Sequence, residues 1–254
     1  MNQRNIFFIH GFLGLPQDWD QVLSHLNLPT SANIQKLNLW SYLQTQKSVS
    51  FESWAEDFNQ NVIERYGNVK DSENILVGYS LGGRLAGMAL RQNPELWHKL
   101  ILLSSNLSFD DDWDPKRDLT NERQARSQAD ALWAKRFREE NWDKVVGDWN
   151  AQSVFVGSQK EPLRTVDAFD RETIGRSLEV WSQARHQNMR RTYKDASDKI
   201  LSLVGALDSK YLQQWSEFKK ENEALNLKII ANSGHRLLFD QPEEVAKEIS
   251  LFLK

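Results

Sequence analysis

Gly78-Tyr79-Ser80-Leu81-Gly82 follows the apolar run Ile75-Leu76-Val77 and opens a segment, 81–91, with a helical pattern. A serine held between small residues two before and two after can sit on a sharp strand-to-helix turn, with Oγ lifted clear of the sheet. The amide of Leu81, at the start of that helix, would then donate to an oxyanion. A serine hydroxyl is a weak nucleophile alone and needs a neighbouring base. On such a turn the partners follow in chain order, first an acid and then a histidine.

Five histidines compete for the role of base. His25 and His98 sit in polar, helix-like surroundings, and His186 lies in the charged stretch Gln183-Ala184-Arg185-His186-Gln187, so all three are expected at the surface. His235 differs: it ends the loop Asn232-Ser233-Gly234-His235, just past the strand-like run Leu227-Lys228-Ile229-Ile230. That is where the base belongs. The acid should leave the end of the preceding strand, which points to Asp208 after Gly205-Ala206-Leu207. Asp195 and Asp198 precede that strand and would fall at the opposite edge of the sheet. Asp208 would fix the tautomer of His235 and stabilise its imidazolium. Near the N-terminus, His10-Gly11-Phe12 follows the short run Asn5-Ile6-Phe7-Phe8-Ile9. The Phe12 amide is expected as the second oxyanion donor, with His10 bracing the loop by hydrogen bonding.

Positioning these groups requires a sheet. Strand-like runs occur near 5–9, 34–39, 74–77, 100–104, 200–204 and 227–230, and helical patterns separate most of them. That alternation predicts an α/β fold, a mostly parallel sheet of about six strands flanked by helices with right-handed crossovers. The interval between the fourth and fifth runs is too long for one crossover. It predicts a helical cap insertion over 108–195, with 1–107 and 196–254 forming the core. Between 115 and 195 there are 16 Lys+Arg against 13 Asp+Glu, and eleven of the sixteen arginines fall there. Arginine in preference to lysine suits bidentate recognition of carboxylate or phosphate.

Helical projection places some of these arginines. Over 121–138, Ala129, Trp133 and Phe137 form an apolar stripe, Arg126 projects into its middle and Arg123 lies nearer its edge. A guanidinium on a buried face requires an anion, which is either a ligand or an acid of the cap itself. In the helix beginning near Asp170, the stripe is Ile174, Leu178 and Trp181, and Arg171 and Arg185 share its face. Either could enter the cleft. Trp142, Val145, Val146 and Trp149 form another stripe, so on periodicity alone Trp149 packs. Arg84, one turn beyond Ser80, opposes the helix dipole and calls for an anion nearby.

The bulk numbers set limits. A chain of 254 residues fits one α/β domain with room for an insertion. The absence of cysteine excludes a disulfide framework and a thiolate nucleophile and suits a reducing cytoplasm. The opening apolar run is far too short for a secretory or membrane-spanning segment. A net charge of −3 argues against general nucleic-acid binding. No metal-ligand spacing or glycine-rich phosphate loop is present, so no cofactor or metal is expected, and the expected partner is a small anionic molecule. A monomer would suffice for that.

Four stretches carry a resemblance: Val77-Gly78-Tyr79-Ser80-Leu81-Gly82-Gly83-Arg84, Leu132-Trp133-Ala134-Lys135-Arg136-Phe137, Gly147-Asp148-Trp149, and Gly205-Ala206-Leu207-Asp208-Ser209-Lys210-Tyr211. Together they resemble the α/β-hydrolase fold, and within it the 2-succinyl-6-hydroxy-2,4-cyclohexadiene-1-carboxylate synthases of menaquinone biosynthesis. The resemblance implies Ser80, Asp208 and His235 as a triad and Tyr79, Arg84, Arg126 and Trp149 as substrate-binding residues. A further family arginine aligns near Asp170 or Arg171, and Arg171 is preferred for the face it shares. It also implies a sheet lacking two edge strands of fuller members of the fold. The implied reaction is an elimination, in which a proton α to a carbonyl is removed and pyruvate leaves. Two loops depart from the family pattern. Leu37-Asn38-Leu39-Trp40-Ser41-Tyr42 replaces a Leu-Pro-Gly-His-Gly segment, and Ser104-Ser105-Asn106 replaces a Gly-Gly-His stretch. The alternative activity is a carboxylesterase or thioesterase acting on a small acidic ester through an acyl-enzyme. A non-catalytic binding module is a third reading, against which the triad counts. Epoxide hydrolases and haloalkane dehalogenases would carry Asp at position 80.

Overall fold

The computed structural model describes residues 3–47, 49–67, 72–109 and 118–254. Six strands form one sheet: β1 Gln3–Ile9, β2 Asn33–Leu37, β3 Ser72–Tyr79, β4 Lys99–Leu103, β5 Ile200–Gly205 and β6 Asn226–Ile230. Their order is β2-β1-β3-β4-β5-β6, and every neighbouring pair is parallel. The helices are α1 Asp20–His25, α2 Leu39–Thr45, α3 Phe51–Tyr66, α4 Leu81–Gln92, α5 Thr120–Glu139, α6 Trp142–Asn150, α7 Arg171–Val180, α8 Arg190–Asp195, α9 Ser209–Glu221, α10 Leu237–Asp240 and α11 Pro242–Phe252.

The sequence periods explain the layers. Central strands covered on both faces read as continuous apolar runs, as β3, β4 and β5 do, whereas the edge strand β2 alternates. Alternate side chains of β1 enter different cores. Phe7 and Ile9 pack with α3, α4 and Trp97 on one face. Ile6 and Phe8 pack with Trp19, Val22 of α1 and Val245 and Ile249 of α11 on the other. Registers Ile9 opposite Gly78, Tyr79 opposite Leu103 and Gly205 opposite Ile230 bring the ends of β1, β3, β4, β5 and β6 to one edge. The loops leaving that edge carry the chemistry. Helices α5 to α8 all lie between β4 and β5, and α5 packs along α7.

Three expectations need correction. The second strand stops at Leu37 and does not continue to 39, because the Asn38 side chain accepts hydrogen bonds from the amides of Trp40 and Ser41 and caps α2. Ala129 is exposed, and the inward face of α5 runs through Asp130, Ala134 and Phe137. His186 is fully buried beside the Phe51 ring, whereas its neighbour Arg185 points outward. Among the described residues no helix is long and apolar enough to cross a membrane.

Candidate active site

Ser80 occupies the turn from β3 into α4 with φ 51° and ψ −112°, a left-handed conformation costly for any residue with a Cβ. Close approach of the backbone forces the two flanking glycines. A Cβ on Gly82 would collide with the Ile9 carbonyl, and one on Gly78 would lie 2.6 Å from the Gly82 carbonyl. The carbonyl of Ser80 accepts from the amides of Gly83 and Arg84 and from Ser105 Oγ at 3.1 Å, which fixes the turn. The hydroxyl is left for the base. Ser80 Oγ lies 3.0 Å from His235 Nε2, and His235 Nδ1 lies 2.9 Å from Asp208 Oδ2. Because a carboxylate only accepts, Nδ1 carries the proton and Nε2 is free to take one from the serine.

Local folding explains why these three meet. Asp208 sits at the N-cap of α9, yet its carboxylate makes no capping hydrogen bond there. It is turned to the histidine. Asp208 and His235 are each 3% exposed. The rings of Tyr211, Tyr79 and Phe155 surround the imidazole at 4.8, 5.7 and 5.8 Å between centroids. This apolar collar lowers the local dielectric and strengthens the interaction between imidazolium and carboxylate. Burial raises the Tyr79 phenol well above its ordinary value, so it stays protonated.

The loop after β1 is braced as its sequence implied. His10 Nδ1 meets the Gly11 carbonyl at 2.8 Å, and the Leu39 amide donates to His10 Nε2 at 3.2 Å. Trp40 Nε1 donates to the Gly14 carbonyl at 2.7 Å. Burial pushes His10 down to about 4, so it is a neutral strut at ordinary pH. Leu39 and Trp40, the first residues of α2, belong to the segment that departs from the family pattern, and here they do the bracing.

A cavity of about 540 Å³ opens over the serine. Ser80, Leu81, Phe12, Tyr79 and His235 line it together with Arg84, Arg126 and Trp149. Arg84 donates to the Trp181 carbonyl at 3.1 Å and lies over the Phe51 ring. Burial lowers it to about 10, which still leaves it charged at neutral pH. Arg126 both lines the cavity and donates from its Nε to Asp130 Oδ1, an acid of its own helix, at 2.9 Å. Trp149 also has two roles, lining the cavity while packing 4.5 Å from the Phe12 ring and edge-on to Trp133.

Arg171 goes elsewhere. Its Nε donates to the Phe137 carbonyl at 2.6 Å and its other nitrogen to the Glu140 carbonyl, and it does not line the cavity. Asp170 caps α7 through the Thr173 amide, so Arg171 starts that helix and reaches back to the orphan carbonyls ending α5. Arg185 is exposed and is likewise absent from the cavity wall. Arg123 donates to the carbonyls of Ala184 and His186.

Tyr211, Phe155, Gln183 and Asn106 line the cavity without having been singled out as site residues. Tyr211 was accessible, since three positions beyond Asp208 at a helix start is the same face. Phe155 and Gln183 sit in 3-10 turns, where no period marks them. Among the described residues no cluster of three or more His, Asp or Glu could hold a metal ion.

With serine, aspartate and histidine assembled in that chain order on a parallel sheet, the comparison with known families is direct: the model of the alpha/beta hydrolase family matches residues 6–248. The chain belongs to the alpha/beta hydrolase family. This hydrolase-fold chain is 30% identical over 254 residues to the putative 2-succinyl-6-hydroxy-2,4-cyclohexadiene-1-carboxylate synthase of Haemophilus influenzae, covering 96% of this chain and 95% of that one. It is 26% identical over 261 residues to the synthase of the same name from Citrobacter koseri, covering 98% and 93%. Among solved structures it superposes on MenH from S. aureus with a TM-score of 0.77 at 19% identity, covering 100% and 94% of the two chains. A thermophilic esterase from Thermogutta terrifontis gives 0.69 at 16% identity, covering 99% and 90%. At those identities the structural likeness is one of fold.

Proposed function

We propose that this alpha/beta hydrolase is a 2-succinyl-6-hydroxy-2,4-cyclohexadiene-1-carboxylate synthase, a lyase that eliminates pyruvate from a cyclohexene substrate bearing several carboxylates. The observation that carries the reading is the meeting of a hydrogen-bonded Ser80–His235–Asp208 relay with Arg84 and Arg126 in one cavity. A neutral lipid or alkyl ester needs no guanidinium wall. A polycarboxylate does. The full-length relatives named for this activity support the same reading.

In the proposed reaction, Ser80 Oγ passes its proton to His235 Nε2 as it takes the proton α to the succinyl carbonyl. Asp208 holds the imidazolium. The electron pair of the broken C–H bond becomes an enolate, whose oxygen accepts from the amides of Phe12 and Leu81. Collapse of the enolate forms the new ring double bond and breaks the C–O bond to the enolpyruvyl group. That group leaves with the electron pair, takes up a proton from the His235 side and tautomerises to pyruvate. Segment 108–195 acts as the cap, contributing Arg126 and Trp149 to the cavity that Ser80, Tyr79 and Arg84 line from the core. The cysteine-free chain suits a reducing cytoplasm.

The test is incubation with the succinyl-enolpyruvyl cyclohexene substrate while pyruvate release is followed. Ser80→Ala is expected to lower kcat by about a thousandfold or more, as loss of a triad member does. Arg126→Ala should raise KM by roughly tenfold to a hundredfold through loss of a charge-assisted contact. Pyruvate release by Ser80→Ala at the unaltered rate would remove the reading. The same Oγ–Nε2 contact also serves acyl transfer, so ester hydrolysis is the second reading, and a burst with an activated acidic ester would favour it.

A further inference from the structure

Gln183 is 7% exposed, lines the cavity, and its amide nitrogen is buried without any hydrogen-bond partner. A buried donor left unmade is costly, and native proteins retain few of them. Its surroundings are unusually well fixed. Ser182 Oγ accepts from the Ala184 amide and donates to Asp130 Oδ2 at 2.7 Å, while Asp130 Oδ1 accepts from Arg126. On the other side, Arg84 donates to the carbonyl of Trp181. The turn that carries Gln183 is thus tied to both cavity arginines just before it, at the Trp181 carbonyl to Arg84 and at the Ser182 side chain through Asp130 to Arg126. Asp130 is 2% exposed and holds Arg126 through Nε, so the guanidinium keeps its terminal nitrogens for another acceptor. Arg84 and Arg126 are also near enough to repel each other, which favours an anion between them.

We infer that Gln183 is a specificity-determining residue of this cavity, donating from its carboxamide nitrogen to a substrate carboxylate oxygen held beside Arg84 and Arg126. The identity of the natural ligand rests on the proposed lyase reading, whereas the carboxylate subsite does not. A neutral amide is suited to the place. Glutamate there would pair with one of the arginines and cancel the charge meant for substrate. An apolar residue would leave the third oxygen contact unmade.

The experiment titrates the full chain with propane-1,2,3-tricarboxylate by calorimetry and follows thermal melting in parallel. Gln183→Met keeps length and removes the donor. It is expected to weaken tricarboxylate binding by about tenfold, with a melting temperature equal to or above the wild type, since an unsatisfied buried amide has been removed. Gln183→Glu should weaken binding further by setting a carboxylate against the probe. Equal affinity in wild type and Gln183→Met would overturn the inference, as would an affinity loss accompanied by a lower melting temperature, which marks a packing residue. Failure of the wild type to bind the tricarboxylate would also overturn it. Discrimination among these variants in a protein that releases no pyruvate would sink the lyase reading and leave the subsite standing.

Discussion

Arginines separate by what lies within reach of each guanidinium, and helical projection alone does not reveal that. Arg126 has Asp130 one turn ahead on its own helix, so it is held at the cavity wall. Arg171 has instead the unpaired carbonyls of Phe137 and Glu140, and those claim it. Its role is therefore structural. Arg171→Ala is expected to lower unfolding free energy by about 1–3 kcal/mol, the cost of stranding partly buried carbonyls. The KM for the proposed substrate should not change. Denaturant unfolding together with steady-state kinetics checks this. A raised KM with unaltered stability would return Arg171 to the ligand set.

At the scale of elements, α4 and α8 meet at an unusually tight point. A Cβ at Gly87 would collide with the Tyr193 hydroxyl, which is itself buried without a partner. Gly87→Ala should destabilise by about 1–3 kcal/mol through overpacking, despite the gain in helix propensity. Tyr193→Phe should be neutral or stabilising alone and should recover part of the loss in the double variant. Additive effects in a double-mutant cycle would show that the two do not touch. The four central strands were legible because they carry apolar runs, the edge strands β2 and β6 only from shorter mixed ones, and the elbow, acid and base followed from where those runs end. The face of α5 was less legible. Its inward stripe contains Asp130, and hydropathy counts a buried, fully paired acid as outward. Phe155 and Gln183 escaped because 3-10 turns have no period long enough to read.

For the molecule as a whole, two buried neutral histidines link stability to pH. His186 was expected outside from the charged stretch around it, but within that stretch Arg185 points outward while the ring turns in against Phe51. Burial, reinforced by the positive charges of Arg84, Arg123 and Arg91, holds it well below 6.5. Burial holds His10 at about 4. Both are bases whose folded pKa is depressed, so below about 6.5 the unfolded chain binds protons that the native state refuses, and stability falls as pH falls. Each contributes a slope of up to about 1.4 kcal/mol per pH unit in that window. His186→Phe removes one of the two titrations and two unpaired ring nitrogens. Relative to wild type, the variant should gain about 2 kcal/mol between pH 7 and pH 5, because integrating the linkage over 1.5 units below an ordinary histidine pKa gives that amount. Denaturant titrations of both proteins at pH 5, 6 and 7 measure the difference directly. Curves that run parallel across this range would mean that His186 is protonated in the native state, and its burial would then require a carboxylate or other acceptor beside the ring.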